Sequence, residues 1–220
     1  MFAVCVNDVV DEATDKISNA HRPLITGALS ADLMRKAAGG FLVTAAIAGF
    51  LTGTYTLFFL GTFTAAYWVY SVPPLRLKRV PILSNFLVGV ACLSAFLAGF
   101  YLVSIDRTLH AVSFSVIAFV LVGFTAAANV KDIKDITGDR AEGVLTLPVW
   151  LGERRARRGV GGMIALVFLA APLAFGSVLW IPSITAACLS FAICIQAKTP
   201  EKGIFALYFL YAAVAFFMLK

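Results

Sequence analysis

Long uncharged stretches alternate with short polar ones along this chain, and the lengths of the uncharged stretches predict its elements. The run from Ala37 to Leu75 contains no Asp, Glu, Lys or Arg. It is long enough for two membrane passes joined by a tight turn near Gly53 and Thr54. Further apolar runs cover Ile82 to Ser104, Thr108 to Val130, Gly159 to Ile181, Ser183 to Ala197 and Gly203 to Leu219. A helix needs roughly 17 to 25 such residues to cross a hydrocarbon layer of about 30 Å. The pattern therefore predicts about seven transmembrane helices, the sixth being the shortest. Composition agrees: 60% of the residues are hydrophobic and 14% charged, too apolar for a soluble domain of 220 residues. The expected fold is all-α, a polytopic transmembrane helical bundle forming one domain over residues 1–220.

Charge then orients the bundle. The segments before Ala37, around Arg76 to Arg79, from Lys131 to Arg158 and around Lys198 to Lys202 hold every Lys and Arg except Arg107 and Lys220. Helix parity puts these four segments on one side, and the positive-inside rule makes that side cytoplasmic. The net charge of +6 is thus a topology signal. No basic stripe interleaved with aromatics occurs outside these segments, which argues against a nucleic-acid partner and for the lipid bilayer. Trp68, Tyr70, Trp150 and Trp180 fall near predicted interfaces, where amphipathic rings anchor a membrane protein. Cys5, Cys92, Cys188 and Cys194 lack a tight pairing pattern and read as small hydrophobes. Gly39-Gly40 and Gly161-Gly162 are expected to let helices approach closely.

Against this background two acidic strings share one internal spacing: Asp8-x-x-Asp11-x-x-x-Asp15 and Asp132-x-x-Asp135-x-x-x-Asp139. At about 100° per residue, offsets of three and seven place each trio within roughly 60° of one helix face. Such crowding of carboxylates calls for a cation, and hard oxygen donors favour a divalent metal. Both strings fall on the predicted cytoplasmic side. Magnesium usually takes one or two carboxylates and completes its shell with water and substrate phosphate oxygens. Two half-sites facing each other would hold a diphosphate between them. Metal and Lys or Arg charge would stabilise the leaving group of an allylic diphosphate, and a chamber in the membrane would keep water from the resulting allylic cation.

These strings, with Tyr70-Ser71 and Leu77-Lys78-Arg79 between them, resemble the UbiA-type intramembrane prenyltransferases. The marks of that family are an N-D-x-x-D-x-x-x-D segment, here Asn7 to Asp15, a Y-S…L-K-R loop, and a second D-x-x-D-x-x-x-D segment, here Asp132 to Asp139. The resemblance covers the chain from Asn7 onward. It implies a ring of helices around a central cavity, open to the cytoplasmic side and to lipid, with the Asp-bearing loops as caps. It further implies transfer of a polyprenyl group from a prenyl diphosphate to a hydrophobic acceptor, with two Mg2+ ions. Asp8, Asp11 and Asp15 would bind one ion, Asn7 assisting, and Asp132, Asp135 and Asp139 the second. Lys78 and Arg79 would face the diphosphate and Tyr70 would orient it, with Arg22, Lys131 and Lys134 as further candidates. Asp8, Asp11, Asp132, Asp135 and Lys78 would carry the chemistry. The Asp motifs are common to family members that use different acceptors, so acceptor and prenyl chain length stay open.

Family members carry two helices before the first motif, nine in all, whereas only six residues precede Asn7 here. The chain is accordingly expected to be shortened at its amino end. The alternative from another class is a transporter or cation channel using the aspartates as ion ligands. It would require carboxylates near mid-membrane, and the predicted spans contain none.

Overall fold

The computed structural model describes residues 1–220 except Arg107, Glu142 and Lys220, together with all side chains in helices but those of Thr14, Ile17 and Ser18. Arg107 and Lys220, the basic residues expected on the opposite face, therefore lie outside the described residues. The rest is helical: α1 (Phe2–Val10), α2 (Glu12–Ser18), α3 (Ala31–Thr52), α4 (Thr54–Ser71), α5 (Leu83–Val103), α6 (Phe114–Ala141), α7 (Leu147–Leu151), α8 (Glu153–Phe175), α9 (Trp180–Gln196) and α10 (Pro200–Met218). Six of these are long and apolar enough to cross a membrane: α3, α5, α6, α8, α9 with its preceding 3-10 turn, and α10. The predicted second pass, α4, forms as a helix of 18 residues. Its Thr, Tyr and Trp content lowers its hydropathy, and it is not among those six although it contains no charged residue.

Helix boundaries follow local chemistry more than hydropathy. Gly53, at φ 128°, ends α3 and begins α4, so one residue reverses the chain where the turn was expected. That left-handed value suits glycine, which has no Cβ to clash with its own backbone. Ser30 caps α3 by accepting a hydrogen bond from the Leu33 amide at 3.1 Å. The predicted run Gly159 to Ile181 is cut at Gly176, φ 136°, and Ser177–Leu179 form a 3-10 turn that leads into α9. Apolar content is continuous across Gly176, so hydropathy alone could not find the break.

Consecutive helices pack on one another in chain order, with α1 against α3 and α4, α2 against α6, and α10 returning to α6. The main core lies among α6, α8, α9 and α10, where Val130, Ile164, Phe168 and Ile204 are almost wholly buried. Ser183 Oγ and the Tyr211 hydroxyl satisfy one another there at 2.7 Å. The outer surface is apolar: Phe50, Val103, Leu173, Ile181 and Phe217 are each more than three-quarters exposed. Such a surface suits lipid and would aggregate in water. Trp68, Trp150 and Trp180 are exposed, as anchors require, whereas Tyr70 is half-buried. Cys5 and Cys194 are buried and no cysteine is paired.

The glycines divide by position. A Cβ on Gly39, Gly40 or Gly162 would meet nothing within 4 Å, so three of the four expected close-approach glycines do not serve that purpose. Gly161 does, lying against Cys194 and Phe191 of α9. So does Gly89 of α5, where an added Cβ would sit 2.2 Å from Thr125 Oγ1 and 2.9 Å from the Leu121 carbonyl oxygen of α6. Of the basic group Arg154 to Arg158, three are exposed, but Arg157 donates to the carbonyls of Cys194 at 3.0 Å and Ala197 at 2.8 Å. It closes the carboxyl end of α9 from a neighbouring helix. Gly89→Val is expected to destabilise the protein by about 2 kcal/mol through overpacking, and Gly39→Ala, inside α3 with open space for its methyl, to stabilise it by about 0.5 kcal/mol. The midpoint of SDS-induced unfolding checks both.

Candidate active site

The first acidic string does not lie on one uninterrupted helix. Asp11, with φ −98° and ψ 15°, ends α1 and caps α2, although the Asp11 and Asp15 amides still donate to the carbonyls four residues back. The trio remains together, and all three side chains are buried. Each is met by a cation. Arg22, from the loop after α2, bridges Asp8 and, at 2.7 Å, Asp15. Asp15 also accepts from Asn19 Nδ2 at 2.9 Å. Asp11 accepts from Arg76 Nη2 at 2.9 Å and from Lys78 Nζ. Asn7 Oδ1 accepts from the buried Ser71 hydroxyl at 3.0 Å, tying the end of α4 to α1.

The loop from Val72 to Ile82 supplies these cations because its backbone turns sharply. Arg76 adopts left-handed φ 38° and ψ 51°, and Leu77–Arg79 form a single 3-10 turn. A residue with a Cβ pays roughly 1 kcal/mol or more for that conformation. Here it brings Arg76 and Lys78 onto one oxygen of Asp11. Of the expected pair, Lys78 lines the cavity while Arg79 is exposed and does not; Arg76 joins Lys78 on Asp11 without lining the cavity itself.

The second string rides on α6, which continues as helix from the apolar core through Asp139. The expected cap loops are thus helical, one a broken helix and one an extension of a span. Asp132 accepts from Asn85 Nδ2 of α5 at 3.1 Å. Asp139 accepts from the Thr146 hydroxyl at 3.2 Å, while its backbone carbonyl receives the Val144 amide at 2.8 Å. Among the described residues no Lys or Arg pairs with Asp132 or Asp135.

One cavity lies between the strings. Asn7, Asp11, Asp15 and Asn19 line one wall, Lys131, Asp132, Lys134, Asp135 and Asp139 the other, and Arg22, Tyr70 and Lys78 fill the space between. Asp8 sits behind Arg22 and does not line the cavity. A further apolar cavity lies between α5, α6 and α8, and its lining includes Asn85, the residue that bonds Asp132. Burial pushes the Asp8 carboxyl above its usual pKa, the Arg22 guanidinium pulls it back, and Asp15 and Asp11 push it up again. Among the described residues no three acidic, His or Cys side chains converge as a complete metal cage. That donor set fits magnesium, which uses one or two carboxylates and draws its remaining oxygens from water and phosphate.

Reading the charges alone could not separate Arg76 from Arg79, which lie in one basic cluster. Asn85 did leave a signal, as the only amide side chain in α5.

Fold and cavity define a polytopic helical membrane protein with a polar chamber built from three aspartate-bearing helices, α1, α2 and α6, at one end of its spans. A family model described as the UbiA prenyltransferase family matches residues 1–218, and the chain belongs to that family. It is 34% identical over 189 residues to the probable homogentisate phytyltransferase 2, chloroplastic, of Oryza sativa subsp. japonica, covering 79% of this chain and 48% of that protein. It is 33% identical over 150 residues to the digeranylgeranylglyceryl phosphate synthase of Methanoculleus marisnigri, covering 68% of this chain and 52% of that protein. The chain spans about half the length of these curated relatives. A UbiA homologue from Archaeoglobus fulgidus, solved bound to GPP and Mg2+, shares the fold with a TM-score of 0.76 and 17% identity. That match covers 99% of this chain and 82% of the other.

Asp11→Ala would leave Arg76 and Lys78 without their shared carboxylate, and is expected to destabilise the protein by about 3 kcal/mol. Lys16→Ala, which breaks the exposed Lys16–Glu12 pair, should change stability by less than about 0.5 kcal/mol. Unfolding midpoints in one detergent compare the two.

Proposed function

We propose that this chain binds an allylic prenyl diphosphate between its two aspartate walls and transfers the prenyl group to a hydrophobic acceptor at the membrane. The observation that carries this reading is the meeting of both strings across one cavity with Arg22 and Lys78 between them. Like charges so placed repel strongly unless cations join them, and those cations can in turn hold a diphosphate. The naming of relatives as homogentisate and digeranylgeranylglyceryl phosphate prenyl-transfer enzymes adds support, as does the GPP and Mg2+ bound to the Archaeoglobus homologue.

Asp11, Asp15, Asp132 and Asp135 would hold two magnesium ions, one at each wall, with Asn7 and Asp139 assisting and Asp8 steadying Arg22. Bound there, magnesium would supply Lewis-acid neutralisation of charge growing on the leaving diphosphate. Lys78 and Arg22 would orient the diphosphate, with Lys131 and Lys134 at the rim. The allylic C–O bond breaks with its electron pair leaving on the diphosphate. The acceptor's nucleophilic atom then bonds to the cationic carbon and loses its proton. Tyr70 and the apolar helix walls beneath it keep water from the cation. Placement of 16 Lys and Arg on the acidic side, counted over the whole sequence, supports a cytoplasmic mouth. The acceptor is aromatic or lipid-like, as the relatives' names suggest.

Purified protein in detergent should bind radiolabelled geranylgeranyl diphosphate with Mg2+ and release it on chelation with EDTA. Asp132→Asn is expected to weaken Mg2+-dependent binding at least tenfold. Undiminished binding by the Asp11→Asn, Asp132→Asn double variant would overturn the assignment. Incubation with homogentisate or geranylgeranylglyceryl phosphate, followed by product mass spectrometry, identifies the acceptor.

A further inference from the structure

We propose that Asn85 is a positioning residue that fixes the orientation of Asp132 through an uncharged donor. The proposal rests on the reading of the cavity as a metal–diphosphate site. Asn85 lies in the first turn of α5 and is 4% exposed. Its side-chain nitrogen donates to Asn129 Oδ1 at 2.7 Å and to Asp132 Oδ2 at 3.1 Å, so both amide hydrogens are used. Asn129 in turn donates its own amide to the Thr125 carbonyl at 2.9 Å.

This chain of bonds permits one orientation. A helix carbonyl claims the nitrogen of Asn129, which must therefore present its oxygen to α5. Asn85 can answer an oxygen only with its nitrogen, and the same nitrogen reaches Asp132. A reversed Asn85 amide would set its oxygen against both the Asn129 oxygen and the Asp132 carboxylate, leaving buried polar atoms unpaired at roughly 1–3 kcal/mol each. One Asp132 oxygen is thereby held from α5, on a residue whose carboxylate lines the cavity. Close packing makes the reach possible: one turn further along α5, Gly89 lies against Thr125 and Leu121 of α6.

The choice of a neutral donor distinguishes the two walls. In the first, guanidinium and ammonium groups both fix and neutralise the carboxylates. At Asp132 an amide fixes the side chain and adds no net charge, so a cation entering the cavity meets an oriented oxygen ligand. Outer partners of this sort commonly change metal affinity by 10- to 100-fold. The bonds among Asn85, Asn129 and Asp132 could instead serve only to join α5 to α6, and the test separates these roles.

The probe is Mn2+ in place of Mg2+, followed by electron paramagnetic resonance in the presence of geranylgeranyl diphosphate, with thermal unfolding measured on the same samples. Asn85→Leu is expected to remain folded and to bind Mn2+ about tenfold more weakly. Because Asn85 acts through Asp132, the same change made on an Asp132→Asn background should produce no further loss. Folded Asn85→Leu protein with wild-type Mn2+ affinity overturns the proposal, as does full additivity of the two changes. Should Asn85→Leu fail to fold, Asn85→Gln displaces the amide by one methylene and must show the same loss of affinity; unchanged affinity overturns the proposal. Wild-type protein that binds no Mn2+ overturns the functional reading itself, an outcome distinct from a wild type that binds and an Asn85 variant that binds equally well.

Discussion

Mutual repulsion among six aspartates at one end of an apolar bundle is the constraint on which the other features depend. Carboxylates half-withdrawn from water cannot stand together without positive charge, and lipid around the spans offers none. The protein answers on one side with its own cations. Arg22, Arg76 and Lys78 converge on Asp8, Asp11 and Asp15 from two separate loops. To bring them there, Arg76 accepts a left-handed backbone and Ser71 anchors α4 to Asn7. On the other side the described bonds come from an amide and a hydroxyl. Asn85 and Thr146 orient Asp132 and Asp139 with hydrogen bonds.

The two walls therefore differ in kind although their sequence spacing is the same. A wall satisfied by internal ion pairs is close to electrically complete, and a metal joining it must compete with or rearrange those pairs. A wall held by amide and hydroxyl groups gains orientation from them without added positive charge. The common spacing describes how carboxylates are arrayed on helices, and the partners from elsewhere in the chain decide what the carboxylates can do.

Much of this was legible in the sequence, for physical reasons that also mark where legibility stopped. Uncharged run length gave the helices because hydrocarbon thickness imposes it, and Gly53 gave the first turn because a break was needed within an overlong run. Gly176 was passed over, since apolar residues continue on both sides and the turn depends on backbone conformation. The strings were legible because like charges at helical spacing are costly without a purpose. Their partners were harder to see. Arg76 and Arg79 have the same charge in the same loop, and only the local 3-10 geometry decides which of them reaches Asp11. Asn129 stood beside the second string, but the role of Asn85 appears only once α5 and α6 are packed against each other.

The one-residue connection at Gly53 has a mechanical consequence. Two long helices joined without slack cannot slide past each other, so a tilt of α3 carries α4 with it and pulls on Ser71 at the far end. The hairpin then behaves as a stiff lever whose tip holds Asn7. At the chamber itself the helices are interrupted at the break at Asp11, the loop carrying Arg22, and the turn from Val72 to Ile82. These are the segments that deliver the cations, so opening the chamber and loosening its internal ion pairs would be a single movement.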